Sequence, residues 1–232
     1  MVRIEDGDPG RAGGLPPAAR AVRVGALGLD GILRVPQPPR ALVLFAHGSG
    51  SSRFSPRNAR VAEALGRRRM ATLLFDLLLP TEGDDRARVF DIPLLAGRLV
   101  DAVRWIDGEP GLRGLPLGLF GASTGAAAAL VAARRLGPRI AAVVSRGGRP
   151  DLAGPALDGV TAPTLLIVGA RDAGVIELNE AALARLGGEK ALVLVPGATH
   201  LFEEPGTLDA AIGEAVRWFE RHLPERWQGG MP

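Results

Sequence analysis

Residues 114–133 read GLPLGLFGASTGAAAALVAA, twenty consecutive residues without a charged side chain. About twenty apolar residues can span a membrane, so the stretch has the length of a transmembrane helix. Pro116, Ser123 and Thr124 interrupt it, however, and much of its second half is alanine, so a span would be poorly apolar. We therefore interpret the first half as the central buried strand of a parallel sheet and the second half as a helix packed against it.

Short apolar runs alternate with longer segments of helical periodicity along the chain, which is typical of an α/β fold with a parallel sheet flanked by helices. Strands are predicted at residues 31–35, 41–46, 71–75, 117–120, 140–145, 164–168 and 191–195, with an antiparallel edge strand at 20–27. Helices are predicted at residues 58–68, 93–106, 124–136, 177–186 and 208–222. No linker divides the chain, so we expect one domain at 20–223 between flexible tails at 1–19 and 224–232.

Composition excludes several classes of protein. Hydrophobic residues make up 47% of the 232 residues and charged residues 23%, which suits a globular core and not a disordered chain. Cysteine is absent, so a disulfide, a thiolate metal site and a cysteine nucleophile are excluded. The net charge is only +3 and the arginines are scattered without interleaved aromatic residues, so no nucleic-acid partner is expected.

Cofactor and targeting motifs are also missing from the sequence. A Walker loop needs a lysine after its last glycine, and the sole lysine is Lys190. No G-x-G-x-x-G opens a helix, and three scattered histidines do not have the spacing of a metal site, so we expect neither a cofactor nor a metal. The first twenty residues contain no apolar segment of a secretory signal, and we expect a cytoplasmic protein without a membrane partner.

Polar and glycine residues follow most of the predicted strands. In an open parallel sheet, ligands bind outside the carboxyl ends of the strands. The segments at those ends are HGSGSSR (47–53), GASTG (121–125), SRGGRPD (145–151), GARD (169–172) and PGATH (196–200). GASTG matches G-x-S-x-G between a strand and a helix, a turn that presents the serine at the sheet edge, so Ser123 is the predicted nucleophile.

A serine hydroxyl needs a base, and histidine has a suitable pKa. His47 is expected to brace its glycine loop and His222 to have a structural role near the end of the last helix, which leaves His200 as the base. Asp172 is the predicted acceptor for the far nitrogen of His200, because it directly follows a strand and gives the chain order Ser, Asp, His. Weaker acceptor candidates, which no strand end fixes in place, are Asp151, Asp158, Glu203 and Glu204.

Acyl transfer develops a negative oxygen that backbone N–H groups must stabilise. The N–H of Thr124, directly after the proposed nucleophile, is one predicted donor. The other should come from the loop that follows the strand at 41–46, with Ser49 as first choice and Gly50 as second. Both lie in a glycine-rich turn, which is also compatible with a purely structural strand-to-helix connection.

Taken in this order, HGSGSSR, GASTG, GARD and GATH resemble the α/β-hydrolase superfamily, and the chain over about residues 20–223 is similar to its dienelactone-hydrolase-like branch. The resemblance implies an eight-stranded, mostly parallel sheet with helices on both faces and a Ser123–His200–Asp172 hydrolase. Dienelactone hydrolase proper uses a cysteine nucleophile, so the serine favours a general carboxylic-ester hydrolase. Only residues 149–162 are available for a cap domain after the nucleophile helix, so we expect an uncapped, shallow site for small acyl esters.

Several alternatives remain at this point. Acyltransferases, thioesterases and amidases share the acyl-enzyme step, and a non-catalytic binding protein can use the same fold. Gly50, Arg53 and Arg146 are candidate substrate contacts. Arg53, Arg146 and Arg149 could each bind a carboxylate or phosphate, although an internal ion pair with Asp76 is the simpler expectation for each. The expected partner is a small-molecule ester, and the protein is expected to be a monomer or homodimer.

Overall fold

Eight strands form a single sheet in the computed structural model, which describes residues 19–223. The strands are β1 (Ala19–Val24), β2 (Leu29–Arg34), β3 (Ala41–Ala46), β4 (Met70–Phe75), β5 (Leu117–Ala122), β6 (Ile140–Arg146), β7 (Thr164–Gly169) and β8 (Lys190–Val195). Their order is β1-β2-β4-β3-β5-β6-β7-β8. β2 is antiparallel to both β1 and β4, and the other neighbours are parallel. The predicted α/β class with a mostly parallel, eight-stranded sheet is confirmed.

Helices cover both faces of this sheet. They are α1 (Pro56–Gly66), α2 (Pro80–Gly83), α3 (Arg86–Val89), α4 (Ile92–Gly108), α5 (Thr124–Leu136), α6 (Ala173–Arg185) and α7 (Thr207–His222). One apolar cluster joins the sheet to α4, α5 and α6, and a second joins its other face to α1 and α7. β3, β4, β5 and β7 are buried at every position, as their continuous apolar sequences require of strands covered on both faces.

Segment ends account for most of the differences from the predicted elements. The first strand starts at Ala19, which was predicted to belong to the tail, and it ends at Val24 because a turn with positive φ at Gly25 and Gly28 leads into β2. Residues 1–18 and 224–232, predicted as tails, lie outside the described residues. α1 starts two residues earlier than predicted, because the Ser55 side chain accepts the Asn58 N–H and caps the helix.

Two other regions differ more. α6 starts at Ala173 and not at residue 177, so Asp172 occupies its N-cap position. The connection between β4 and α4 contains α2 and α3, which the sequence did not predict because each is a single turn of four residues. Between β6 and β7, a 3₁₀ segment at Pro150–Gly159 fills the connection and no domain is inserted there.

The charge-free stretch at 114–133 forms β5 and most of α5. β5 is buried at all six positions, and most of α5 is buried as well. Alanines let this helix pack closely on the sheet, so the absence of charge reflects burial within protein. Among the helices of residues 19–223, none combines the length and apolar character that a membrane crossing requires.

Candidate active site

Ser123 lies at the sharp turn between β5 and α5. Its φ of 51° and ψ of −124° place a non-glycine residue in a region that L-amino acids rarely adopt. The Ser123 N–H donates to the carbonyl of Arg146 at 3.3 Å, and its carbonyl accepts the N–H of Arg149 at 3.1 Å. The end of β6 and the loop after it therefore hold the strained serine backbone in place.

Glycines around Ser123 allow three backbone segments to meet. A Cβ on Gly121 would lie 2.4 Å from the Cα of Ala126, and a Cβ on Gly125 would lie 2.2 Å from the carbonyl oxygen of Ala46. A Cβ on Gly48 would lie 2.9 Å from the Cβ of Ser123. Side chains at these positions would push apart β3, β5 and the start of α5, so the glycines permit the close approach that presents the serine.

His200 and Asp172 come from the loops after β8 and β7. Nδ1 of His200 lies 2.7 Å from Oδ2 of Asp172. A carboxylate only accepts, so Nδ1 carries the proton and Nε2 is the unprotonated nitrogen of the neutral ring. Asp172 makes no capping hydrogen bond with its side chain, although it stands at the N-cap of α6. Its carboxylate is therefore committed to the histidine.

Backbone contacts fix the two loops relative to each other. The Arg171 N–H donates to the carbonyl of Ala198 at 2.9 Å, and a Cβ on Gly169 would lie 2.5 Å from the same oxygen. The other acidic candidates all have different partners: Asp151 with Arg149, Asp158 with Arg185, Glu203 with Arg57, and Glu204 with the N–H of Thr199. Asp172 alone among these five carboxylates contacts His200.

The other two histidines are held elsewhere. Nε2 of His47 accepts the Leu77 N–H at 3.2 Å, so Nδ1 donates to the Gly48 carbonyl at 3.0 Å. Burial lowers the pKa of His47, outweighing the opposite effects of the Gly48 carbonyl and Asp76, and the neutral ring braces the loop after β3. His222 packs against Trp218 with ring centroids 4.4 Å apart, and burial lowers its pKa.

Ser123 and His200 line the same cavity, which has a volume of about 490 Å³. The loop at residues 48–51 separates it from a second cavity of about 330 Å³. The side chains that line this second cavity are mostly apolar: Leu77, Leu78, Leu79, Pro80, Val89 and Leu95. α2 and α3, which the sequence did not predict, contribute Pro80, Gly83 and Val89 to the wall of this second cavity. None of their residues lines the cavity that holds Ser123.

Two of the predicted oxyanion donors are linked directly. The Thr124 N–H is the first of α5 and has no intrahelical acceptor, so it remains available to a ligand. The Ser49 N–H donates to Oγ1 of Thr124 at 2.9 Å, which ties the loop after β3 to the start of α5. Gly50, with a φ of 70°, also lines the cavity, and its N–H donates to none of the described residues, 19–223.

The three loop arginines differ in their partners. Arg53 forms an ion pair with Asp76, as expected. Arg149 instead forms a bidentate pair with Asp151, with both distances 2.8 Å. Arg146 has no carboxylate partner within residues 19–223, so the expected pair with Asp76 is wrong for Arg149 and Arg146.

Asn58 and the apolar wall were not identified from the sequence as parts of the site. The Ser55-Pro56 dipeptide is a typical helix start, and placing it correctly would have put Arg57 and Asn58 in the first turn of α1. The run of leucines at 77–79, directly after a strand, was the available signal for a buried wall.

Within the described part of the chain, no group of three His, Asp or Glu side chains could hold a metal ion.

Solved structures with this architecture include several α/β hydrolases. Est1E from Butyrivibrio proteoclasticus is 18% identical with a TM-score of 0.71, and the match covers 87% of this chain and 96% of that one. At such identity the likeness shows the fold alone. Together with the sheet order and the nucleophile turn, it shows that the chain has the α/β-hydrolase fold.

Dienelactone hydrolase from Anabaena variabilis is a much nearer relative. It is 52% identical to this chain with a TM-score of 0.86, and the match covers 90% of this chain and 100% of the dienelactone hydrolase. The chain therefore belongs to the dienelactone-hydrolase-like branch of the superfamily, as the sequence motifs predicted. These relatives support a hydrolase.

Curated relatives in Mycobacterium tuberculosis are longer proteins. Two strains have a protein named "Putative phosphoribosyl transferase" that is 58% identical over 202 residues. The match covers 87% of this chain and 46% of the relative, so the chain spans just under half the length of these proteins. No family model matches the chain.

Proposed function

We propose that the chain is a serine hydrolase that cleaves carboxylic esters with small or short acyl groups through an acyl-enzyme intermediate. The single observation that carries the proposal is the hydrogen bond of Asp172 to His200, which lines the same cavity as Ser123. A strained serine, a base in one fixed tautomer and a carboxylate are the groups that this chemistry requires.

In the proposed mechanism, Oγ of Ser123 attacks the ester carbonyl while Nε2 of His200 takes the hydroxyl proton. Asp172 holds the Nδ1–H and stabilises the imidazolium that forms. The protonated His200 then gives its proton to the leaving alcohol, and the acyl group stays on Ser123. The same histidine then takes a proton from a water molecule, whose oxygen attacks the acyl carbonyl. The bond between the acyl carbon and Oγ breaks, the acid leaves, and His200 returns the proton to Ser123.

The N–H of Thr124 is the proposed first donor to the oxyanion. For the second donor, the contact between Ser49 and the Thr124 hydroxyl leaves two arrangements. In the first, the Ser49 N–H donates at the same time to Oγ1 of Thr124 and to the oxyanion. In the second, the Gly50 N–H, which has no partner within residues 19–223, donates to the oxyanion. We propose the Ser49 N–H as the second donor, because its hydrogen bond to the Thr124 hydroxyl positions it beside the first donor, the Thr124 N–H.

The longer curated relatives are named for phosphoribosyl transfer, which is a different reaction. A serine at a nucleophile turn and a histidine–carboxylate pair serve acyl transfer, and they have no evident use in moving a phosphoribosyl group. We therefore propose ester hydrolysis for the region that this chain shares with those proteins. Transfer to an acceptor other than water would pass through the same acyl-enzyme.

The test is turnover of 4-nitrophenyl esters with two- to twelve-carbon acyl chains by the wild type and Ser123→Ala. We expect the short esters to react fastest and Ser123→Ala to lose a factor on the order of 1,000 or more in kcat. Ser145→Ala is the matched control, because it removes a serine hydroxyl that is buried without a partner on the neighbouring strand β6. Equal rates for Ser123→Ala and the wild type would refute the proposal.

A further inference from the structure

Arg146, at the end of β6, is a buried cation that has no counter-charge among residues 19–223. Its residue is 8% exposed, and it lines the cavity that holds Ser123 and His200. The nearest polar contact is weak, with Nη2 3.4 Å from Oδ1 of Asn58, and Nε has no hydrogen-bond partner among residues 19–223. Such a charge is costly to bury unless something compensates it.

A second cation makes the imbalance larger. Burial first, and then the positive charge of Arg57, lower the pKa of Arg146 to about 10, so the side chain is still protonated at neutral pH. Arg57 itself has only an exposed ion pair with Glu203, 3.5 Å away, and such pairs contribute little. Two guanidinium groups thus line one cavity, and none of the described aspartates or glutamates lines it.

The start of α1 adds to this positive potential. Ser55, Pro56, Arg57 and Asn58 line the same cavity as Arg146. They form the N-terminal turn of an eleven-residue helix, where the helix dipole favours a negative ligand. Of their N–H groups, those of Ser55 and Asn58 already have acceptors and Pro56 has none, so the Arg57 N–H is the one left for a ligand among the described residues. The buried Arg146 side chain provides an independent indication that the ligand here is an anion.

Two other arginines at this edge of the sheet, Arg53 and Arg149, have carboxylate partners. Arg53 pairs with Asp76 and Arg149 with Asp151. Phe202 contributes to holding Arg146, whose guanidinium carbon lies 5.8 Å from the ring centroid, but an aromatic ring does not neutralise the charge. Burial without a carboxylate partner among residues 19–223 therefore distinguishes Arg146 from Arg53 and Arg149.

We propose that Arg146 and the first turn of α1 bind an anionic group of the substrate itself, a carboxylate or a phosphate. The proposal rests on the hydrolase function above and names its substrate class: short esters that carry an anion a few bonds from the scissile carbonyl. In the parallel register, Arg146 is paired with Ala122, the residue before Ser123. Neighbouring strands lie about 4.8 Å apart, so the anion and the ester of one small molecule fit in the same cavity.

The test compares 4-nitrophenyl hydrogen glutarate with its methyl ester, which differ in charge and hardly in length. At low ionic strength, we expect the wild type to prefer the acid by about tenfold or more in kcat/KM, since a charge-assisted hydrogen bond is at stake. Arg146→Gln should reduce this preference by about tenfold, and Arg146→Lys should retain part of it. A wild type without preference, or Arg146→Gln with the full preference, would overturn the proposal.

Arg149→Gln is the matched control, because it removes a guanidinium near the same cavity that Asp151 already neutralises. It should keep the wild-type preference, and an equal loss in both variants would refute a specific role for Arg146. The ratio of the two substrates is informative because a merely structural defect lowers both rates together. Circular dichroism and thermal unfolding establish that each variant is folded.

Calorimetry with valerate and with butyl phosphate tests the subsite without turnover and without an arginine variant. Binding of either to the wild type, weakened at high salt, supports the subsite, and the tighter of the two identifies the anionic group. If neither binds, the proposal fails. If the wild type hydrolyses no ester but binds one of these anions, the hydrolase function fails while the anion subsite stands.

Discussion

Gly125→Ala should impair catalysis by moving the start of α5. The new Cβ would lie 2.2 Å from the Ala46 carbonyl oxygen and 2.5 Å from that of His47, whereas real Cβ atoms keep at least 3.0 Å, so these segments must separate by about 0.8 Å. Both obstacles are backbone atoms at the end of β3 and cannot be avoided by a rotamer change. We expect a loss of about 1–3 kcal/mol in the free energy of unfolding, which is typical of an overpacked core.

The same displacement reaches the oxyanion donors. Thr124 precedes Gly125, and its hydroxyl holds the Ser49 N–H, so both proposed donors move with the helix start. A misplacement of about 1 Å in such a site can cost about 100-fold in rate, and we expect that loss in kcat with a much smaller change in KM. Gly213→Ala is the matched control, since it adds a methyl group within α7 near only the flexible end of Arg217.

Urea denaturation and steady-state kinetics on a short 4-nitrophenyl ester measure the two effects. Gly213→Ala should keep wild-type kcat and, as a glycine-to-alanine change inside a helix, should not lower stability. A folded Gly125→Ala variant with wild-type kcat would refute the reasoning, because it would show that the position of α5 does not control the reaction.

Three further predictions concern the surroundings of the site. Burial lowers the pKa of His47 from its ordinary value of 6.5, so as the pH falls through this range the unfolded chain binds a proton that the folded chain excludes. The free energy of unfolding, measured by urea denaturation, should therefore drop between about pH 7.5 and 5.5. The drop should be smaller in His47→Asn. Glu82→Ala should cost about 3 kcal/mol in the same assay, because it leaves the mostly buried Arg98 without the carboxylate 2.9 Å away; an unchanged urea midpoint would contradict this. Asp172→Asn should lower kcat by about 1,000- to 10,000-fold through the wrong histidine tautomer, and kinetics within tenfold of wild type would exclude Asp172 from this role.

Much of the fold could be predicted because the parallel strands are continuous apolar runs bounded by glycine, proline or charge. Residues 41–46 coincide with β3, and β5, β6 and β7 are each one or two residues longer than predicted. The extensions, such as Gly121 and Ala122 in β5, include residues that the sequence reserved for loops. Sheet hydrogen bonds continue through such residues when neighbouring strands are in register, which a single sequence does not reveal.

The site illustrates the opposite limit. Ser123, His200 and Asp172 could be selected from the sequence because each follows a predicted strand. The carboxyl ends of parallel strands share one edge of the sheet, so residues that follow them lie at the same edge. The partners of the arginines could not be predicted, since Arg149 bonds to a residue two positions away and Arg146 to none of the described carboxylates, and side-chain direction decides both. The cavity wall formed by α2 and α3 was missed because one-turn helices have too few residues to show a period.

The two cavities on either side of residues 48–51 are built from separate parts of the chain. Residues 77–95 supply the apolar walls of one, whereas the first turn of α1 and the end of β6 supply the charge of the other. Substitutions in one set need not alter the other set or the residues that we propose to carry out the reaction. Evolution can therefore adjust the binding of apolar and of charged substrate groups independently. Changes in the loop at residues 48–51, which lines both cavities, would alter both.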